Sequence, residues 1–261
     1  MSFDSVPIFG IFLLTAALVA VALELGYRLG RWALSRGGAR SDVSGAMIGA
    51  TMGLVSFMIA FTFNGAAGRH DARKSLLMED VNLIATTSLR TGFLPEAQRA
   101  ELRQLLADYV DVRVDAGTNK IDIATAIARS DVLQGRIWTI ASTVGQSAPG
   151  SIMSALFVES LNGMIDSQAR RLTVSARRVP PPIWVALYAL TTFGMLMIGI
   201  QAGLGGVRQS GIALAMALAF SVVLALVADL DRPSEGYVNV SQQAMVDLQA
   251  KLHLELPVAP R

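Results

Sequence analysis

Four long apolar stretches dominate the pattern of hydrophobic and polar positions along the chain. A helix needs roughly 20 apolar residues to cross the hydrocarbon core of a bilayer, and a backbone in lipid must satisfy its own hydrogen bonds. The alternating pattern of a membrane β-barrel is absent from the sequence. The pattern therefore predicts four transmembrane helices, which cover Pro7 to Leu25, Val43 to Gly68, Ile183 to Gly206 and Gly211 to Ala228.

The first stretch has a second interpretation, as a cleaved secretory signal peptide. Such a peptide starts with basic residues and has a short apolar core. This chain instead carries Asp4 and no Lys or Arg before the stretch, and its apolar core is longer. We therefore expect a retained helix.

Residues 69–182 have the polar composition of a soluble domain. Their helical periodicity meets no breaker until Gly92, which predicts that the second span continues beyond the membrane as one long helix. Breakers and caps predict the later helices, which cover about 95–116, 120–129, 130–144 and 151–178. Ser130 is the predicted cap of the helix that reaches Val144.

The chain thus divides into four segments: transmembrane helices 1 and 2 (1–68), a helical domain (69–182), transmembrane helices 3 and 4 (183–230) and a C-terminal tail (231–261). Within the tail, the run from Gly236 to Val240 predicts a short strand, and residues 241–252 predict an amphipathic helix. The predicted fold class is all-α, with four transmembrane helices and a helical soluble domain inserted between helices 2 and 3.

Composition excludes several kinds of chemistry. The chain has no cysteine, which excludes disulfides and thiolate sites, and its two histidines, His70 and His253, are too few for a histidine-rich metal centre. A phosphate-binding glycine loop and a paired-histidine zinc motif are missing from the sequence. The net charge of +2 is too small to indicate nucleic acid. We therefore predict no enzyme activity, no cofactor and no nucleic-acid partner.

Charge gives two opposed indications of membrane orientation. The side with the inserted domain has more basic residues, whereas short loops count for more in the positive-inside rule. With four spans, both termini and the inserted domain share one side, and we expect that side to be the cytoplasm of a multi-pass cell-membrane protein. The basic residues of the short-loop side are Arg28, Arg31, Arg36, Arg40 and Arg208.

The second span carries a row of small and aromatic residues spaced four apart, namely Gly45, Gly49, Gly53, Phe57, Phe61 and Gly65. In one interpretation the glycines let another helix pack closely, and the aromatic rings face core or lipid. In the other, the row lines a narrow pore with a hydrophobic constriction. Polar residues of the same span favour the second interpretation: Thr51, Ser56, Thr62 and Asn64.

Charged residues at the span ends have alternative roles as well. Arg69 either places positive charge at a pore mouth or anchors the helix at the interface. Asp229, Asp231 and Glu235 are weak candidates for a cation site such as Ca²⁺, and the competing interpretation is a helix end paired with Arg232. In the first span, Glu24 lies one turn before Arg28 and is expected to pair with it. Gln201 is expected to bond to a neighbouring helix.

Two motifs resemble a known family. The run Phe61-Thr-Phe-Asn64-Gly-Ala66-Ala-Gly-Arg69, followed by Arg73, resembles the end of the second span in bacterial bestrophins. The segment Leu230-Asp231-Arg232-Pro233 resembles the turn after the last bestrophin span. Together with the four-span layout, these motifs make the chain similar to a bacterial membrane family described as bestrophin-like.

The resemblance implies a specific architecture. Bestrophins are pentameric anion channels whose second spans line a pore with a hydrophobic neck, and whose termini and insert are cytoplasmic. Phe61 would then belong to the neck, with Asn64 and Arg69 just beyond it, and helical spacing adds Phe57. The Ca²⁺-binding acidic cluster of animal bestrophins is reduced here to Asp229, Asp231 and Glu235.

We therefore expect a homo-oligomeric, chloride-conducting channel whose pore is lined by the second span, with the lipid bilayer and small anions as partners. The alternative is a non-conducting membrane scaffold or sensor whose helical domain binds a partner. In that case Gly45, Gly49 and Gly53 only pack helices. A stable monomer or dimer in detergent would favour the alternative, since no central pore could form.

Overall fold

The computed structural model describes residues 6–36, 45–147, 149–206, 208, 210–232 and 236–256. Within these ranges the chain is helical, with no strand, as the all-α prediction requires. A single 3-10 turn, Thr91–Phe93, follows the second helix. The α-helices are α1 Ile8–Ser35, α2 Gly45–Arg90, α3 Glu96–Gly117, α4 Ile123–Ser147, α5 Ile152–Ser175, α6 Pro181–Gly205, α7 Ser210–Asp231 and α8 Gln243–Glu255.

Four of these helices, α1, α2, α6 and α7, are long and apolar enough to cross a membrane. The four predicted spans are therefore helices of the expected length and apolarity. The predicted continuation of the second span is also correct, because α2 is one helix of 46 residues. The predicted start of α5 is confirmed at Ser151, whose hydroxyl accepts the Ser154 N–H at 3.3 Å.

Two local predictions are wrong. Residues 120–129 and 130–144 do not form separate helices, because α4 runs unbroken through Ser130, which is buried inside it. The helix is capped instead by Asp122, whose carboxylate accepts the Thr125 N–H at 2.9 Å. The predicted strand from Gly236 to Val240 is not formed: residues 236–238 are a bend, and the backbone N–H groups of Tyr237 and Val238 donate to the side chain of Asp229.

The chain forms two compact units. The first comprises Met1–His70 and Arg177–Asn239, and the second Asp71–Ala176 and Val240–Arg261. Helix α2 contributes residues to both. The apolar parts of all four candidate spans lie in the first unit, and α8 belongs to the second.

The first unit is organised by a close crossing of α1 and α6. A Cβ added at Gly26 would overlap the carbonyl oxygen of Leu196, and one added at Gly199 would overlap that of Leu23. Gly30 and Gly203 repeat the arrangement one turn further along. Small residues spaced four apart therefore bring the two backbones into direct contact, a common arrangement where helices pack in lipid.

The second unit is a helical bundle with its own core, built largely from α3, α4, α5 and α8. Tyr109 is fully buried there, and its hydroxyl donates to Gln168 Oε1 at 2.7 Å. Burial raises the pKa of Tyr109 to about 12, so the ring stays neutral at any physiological pH. Helix α8 packs on this core through Met245, Leu248 and Leu252.

A buried ion cluster ties three helices of the second unit together. The carboxylate of Asp80 on α2 is fully buried and lies 2.9 Å from Arg113 on α3 and 2.5 Å from Arg171 on α5. The hydroxyl of Ser167 donates to the other carboxylate oxygen. One acidic side chain thus holds two guanidinium groups, and nothing in the spacing of the sequence indicated that they would meet.

Candidate functional site

The part of α2 within the first unit has two different faces. Ile48, Val55, Thr62 and Ala66 are buried against other helices of the chain. Phe57, Phe61 and Asn64 lie on the opposite side of the helix, about 160° away by the 100° turn per residue of an α-helix, and they are exposed. In the most apolar 18-residue stretch of α2, only 17% is buried inside the chain. In the corresponding stretches of the other three candidate spans, 28–33% is buried. The exposed face of α2 is therefore available for contacts that one chain does not make.

The two phenylalanine rings form a pair on this face. Their centroids are 6.4 Å apart, with the planes inclined by 24°. Phe57 is 64% exposed and Phe61 is 62% exposed. Asn64 follows one turn later and is exposed as well. A bulky apolar surface thus gives way to an amide along the same stripe of the helix.

The glycine row lies beside these rings, and among the described residues it contacts no other helix. A Cβ added at Gly45, Gly49 or Gly53 would meet none of their atoms within 4 Å. The row is therefore open to a second molecule, and the predicted packing role remains a prediction. The glycines that do pack helices within the chain lie on α1 and α6, where the repeated four-residue spacing in spans one and three was the signal.

The hydroxyl groups of α2 do not line this face as the sequence suggested. Thr62 is buried on the opposite side of the helix, and its hydroxyl donates to the Met58 carbonyl at 2.7 Å. Thr51 donates to its own helix in the same way, to the Met47 carbonyl at 2.9 Å. The polar groups that remain on the exposed surface of this segment are Ser56 and Asn64.

Arg69 is paired, so it does not present a free positive charge. Its Nε donates to Asp231 Oδ1 at 3.1 Å, and a second guanidinium nitrogen lies 3.0 Å from the same oxygen. Asp231 also accepts the backbone N–H of Val179 at 3.0 Å. One carboxylate thus links the end of the apolar part of α2 to the end of α7 and to the segment that leads into α6.

Asp229 organises the turn that follows α7. Its carboxylate accepts the N–H groups of Tyr237 and Val238, both at 2.9 Å. Gly236, directly before Tyr237, has φ +145°, and a Cβ there would overlap the Asp229 carboxylate. Only glycine fits this position without strain. The sequence suggested a strand that starts at Gly236, although a glycine a few residues after a helix end is a usual turn signal.

The candidate cation site of Asp229, Asp231 and Glu235 is only partly visible, because Glu235 lies outside the described residues. The other two carboxylates are occupied by backbone N–H groups and by Arg69. Among the described residues, no three His, Asp or Glu side chains come together in a way that could hold a metal ion. Arg232, the predicted partner of these acids, donates to the Val6 carbonyl at 2.5 Å.

At the other end of the spans, the predicted pairing of Glu24 with Arg28 is correct, with Arg28 Nε 2.9 Å from the carboxylate. Arg208 lies 3.3 Å from the other oxygen of Glu24. Gln201, expected to bond to a neighbouring helix, has an exposed side chain.

Comparison with known proteins identifies relatives of the whole arrangement. A family model described as a bestrophin-like domain matches residues 11–245. A bacterial bestrophin homologue from Klebsiella pneumoniae has a similar fold, with a TM-score of 0.68 at 12% sequence identity over 95% of this chain and 98% of that one. A crystal structure described as a membrane protein superposes with a TM-score of 0.71 at 11% identity, over 95% and 98% of the two chains. A search of the curated proteins gave no match.

Proposed function

Because the chain belongs to the bestrophin-like domain family, we propose that this membrane protein is an ion channel whose pore is lined by α2. Several copies of the chain would place their α2 helices around one axis. The paired rings of Phe57 and Phe61 would then form the constriction, with Asn64 just beyond it. Ions would move passively down their electrochemical gradient, since hydrophobic constrictions gate by excluding water rather than by chemistry.

The exposed face of α2 is the observation that supports this proposal. A lipid-facing surface is normally apolar throughout, because an unpaired polar group in hydrocarbon costs free energy. This face instead combines two aromatic rings with Asn64, next to a row of glycines that meet no other described residue of the chain. Contact with other copies and with a water-filled passage accounts for that combination.

The assembly is part of the proposal. We propose a homo-oligomer, and the family resemblance suggests a pentamer. The helical domain between the second and third spans would lie in the cytoplasm together with both termini, and the spans would cross the cell membrane. Cross-linking in detergent and protease accessibility in sealed vesicles would test these two statements separately.

We further propose that the channel conducts chloride. This preference rests on the family resemblance, because α2 carries no charged residue from position 45 to position 68 and Arg69 is held by Asp231. The test is current through a planar bilayer that contains the purified protein under a chloride gradient. A reversal potential near that of chloride would support the anion channel, and one near that of the cation would replace chloride by the cation as the permeant ion.

Shortening the constriction rings should increase the current. We expect Phe57→Ala and Phe61→Ala each to raise single-channel conductance, because the narrow apolar segment becomes wider and wets more easily. The matched control is Phe193→Ala on α6, a phenylalanine that is 63% exposed but lies in another span. Unchanged conductance in both α2 variants, in a protein that still conducts, would exclude these rings as the neck.

Releasing Arg69 should shift the selectivity. We expect Asp231→Asn to increase the permeability of chloride relative to sodium, because the guanidinium loses its counter-charge next to the proposed pore mouth. Arg69→Gln alone should have the opposite effect, and the double variant should return toward wild type, because it removes both charges of the pair. The double-mutant cycle then measures the coupling of the two residues. Reversal potentials of the four proteins measure the effect. Equal potentials in all four would place Arg69 away from the ion path.

Absence of current has a defined meaning as well. If the folded, inserted protein carries no current and purifies as a stable monomer or dimer, the non-conducting scaffold or sensor becomes the better description. A large, closed oligomer without current would instead indicate a channel that needs a stimulus. The mass of the detergent-solubilised oligomer therefore decides between the two.

A further inference from the structure

A cavity of about 260 Å³ lies in the first unit, between α1, α6 and α7. Small residues contribute to its lining: Ala20 on α1, Gly199 and Ala202 on α6, and Ala213 on α7. Its rim on α7 is formed by Ile212 and Leu214, which are exposed on the outside of the chain. The cavity is therefore an apolar recess that opens on the surface of the membrane spans.

The mouth of the recess is charged. Glu24, Tyr27 and Arg208 line it, and Arg28 lies within 2.9 Å of the Glu24 carboxylate. The guanidinium of Arg208 also lies 5.8 Å from the centre of the Tyr27 ring. Two arginines against one glutamate leave a net charge of about +1 at neutral pH.

The arginines keep hydrogen-bonding capacity beyond Glu24. A guanidinium has five N–H donors, and the contacts with Glu24 use Nε of Arg28 and one terminal nitrogen of Arg208. Both side chains are largely exposed. A negatively charged group with several acceptor oxygens can therefore bind there without displacing Glu24, which keeps the two arginines next to each other.

We propose that this recess binds an anionic phospholipid, with an acyl chain in the cavity and the phosphate of the headgroup at Arg208 and Arg28. Away from Glu24, Tyr27 and Arg208 the recess is lined by apolar residues, where water finds few polar partners, and the hydrocarbon of the bilayer is the solvent in contact with the opening. Charge complementarity then selects the headgroup, as it does for basic pockets between transmembrane helices. This inference does not depend on ion conduction.

Native mass spectrometry of the full-length protein in detergent tests the proposal. The protein is mixed with phosphatidylglycerol or phosphatidylcholine that carry the same acyl chains. We expect retention of phosphatidylglycerol to exceed that of phosphatidylcholine by about fivefold. This is the binding ratio expected from one arginine without a counter-charge next to an anionic headgroup. Equal retention of the two lipids would overturn the proposal.

A competition experiment separates a lipid from a free phosphate. Glycerol 3-phosphate and inorganic phosphate share the charged group but have no acyl chain, so millimolar concentrations should leave bound phosphatidylglycerol in place. Displacement at those concentrations would show a soluble-phosphate site instead, and would overturn the role assigned to the cavity. Ala202→Leu, which fills the recess without changing charge, should reduce the retention of both lipids.

Three charge variants distinguish lipid recognition from a simple ion pair. Arg208→Gln should abolish the preference for phosphatidylglycerol, whereas Glu24→Gln, which makes the mouth more positive, should maintain or increase it. Arg36→Gln is the matched control, because Arg36 is an exposed arginine that stacks on Trp32 at the end of the same helix α1. If Glu24→Gln and Arg208→Gln lower the preference equally, Arg208 serves only as the counter-ion of Glu24. If Arg36→Gln lowers it as much as Arg208→Gln, the effect is general surface charge.

Discussion

Asp80→Asn is expected to lower the free energy of unfolding by about 3–5 kcal/mol, because removal of one partner leaves buried charges without compensation. Asn has nearly the same shape as Asp, so packing around it changes little. The two guanidinium groups of Arg113 and Arg171 would remain in place, however, with the negative charge between them gone. Urea unfolding of the full-length protein in detergent, followed by far-UV circular dichroism, measures the change.

The neighbouring residue supplies a control for this prediction. Glu79 is also an acid of α2 that pairs with an arginine of α5, with Arg170 at 2.6 Å, but both side chains are about half exposed. An exposed pair of this kind contributes about 0–1 kcal/mol, so Glu79→Gln should unfold almost like the wild type. If the two variants lose similar stability, burial does not determine the strength of the Asp80 cluster.

A compensated variant separates the charge effect from the shape effect. Asp80→Leu combined with Arg113→Met and Arg171→Met removes all three charges and keeps apolar volume in their place. Buried ion clusters replaced in this way often retain or gain stability. We therefore expect the triple variant to recover most of what Asp80→Asn loses. Failure to recover would show that the cluster contributes through its specific geometry, for example through the bond from Ser167 to Asp80.

The elements of the fold that follow from composition and periodicity were predictable. Four apolar stretches without charges in their interiors have one stable conformation in lipid, so the helices α1, α2, α6 and α7 follow almost directly from the sequence. The length of α2 was predictable because its polar half keeps helical periodicity up to Gly92. The break predicted near Ser130 was wrong because the residue type alone suggested a helix cap. A serine also fits inside a helix when tertiary packing buries its side chain.

The site was only partly predictable, because its decisive features are contacts between distant segments. Phe57, Phe61 and Asn64 could be assigned to one face from their spacing alone, and the structure places them there. The pairing of Arg69 with Asp231 joins residues 162 positions apart, and no local pattern indicates it. It changes the electrostatics of the proposed pore mouth, since a charge that the sequence presented as free is neutralised by a carboxylate.

Glycine spacing shows the same distinction between pattern and contact. The row on α2 is the more conspicuous pattern, yet Gly45, Gly49 and Gly53 meet none of the residues that the structure describes. The pairs on α1 and α6 are shorter patterns, and they hold the first unit together because each glycine faces a backbone. A small-residue motif therefore predicts that a helix can be approached closely, but the neighbouring helix must be found from the structure.

Substitution of the α1–α6 glycines should consequently be far more damaging than substitution of the α2 row. We expect Gly199→Ala to destabilise the first unit by about 1–3 kcal/mol or more, the usual cost of overpacking a rigid contact. The added methyl group would meet the backbone of Leu23 and Tyr27 on α1. Backbone atoms cannot rotate away as the end of a flexible side chain can, so the two helices would have to separate along their whole crossing.

Gly49→Ala is the matched control, because it adds the same methyl group to another transmembrane helix at a position with no atom within 4 Å. Unfolding in SDS, followed by circular dichroism, should show a clear loss for Gly199→Ala and none for Gly49→Ala in the monomeric protein. The second variant has a further use, since a methyl group at Gly49 meets none of the described residues and so tests a contact between molecules. A Gly49→Ala protein that folds normally but forms fewer oligomers would locate the subunit interface beside the proposed pore, and equal loss in both variants would contradict the distinction between the two glycine rows.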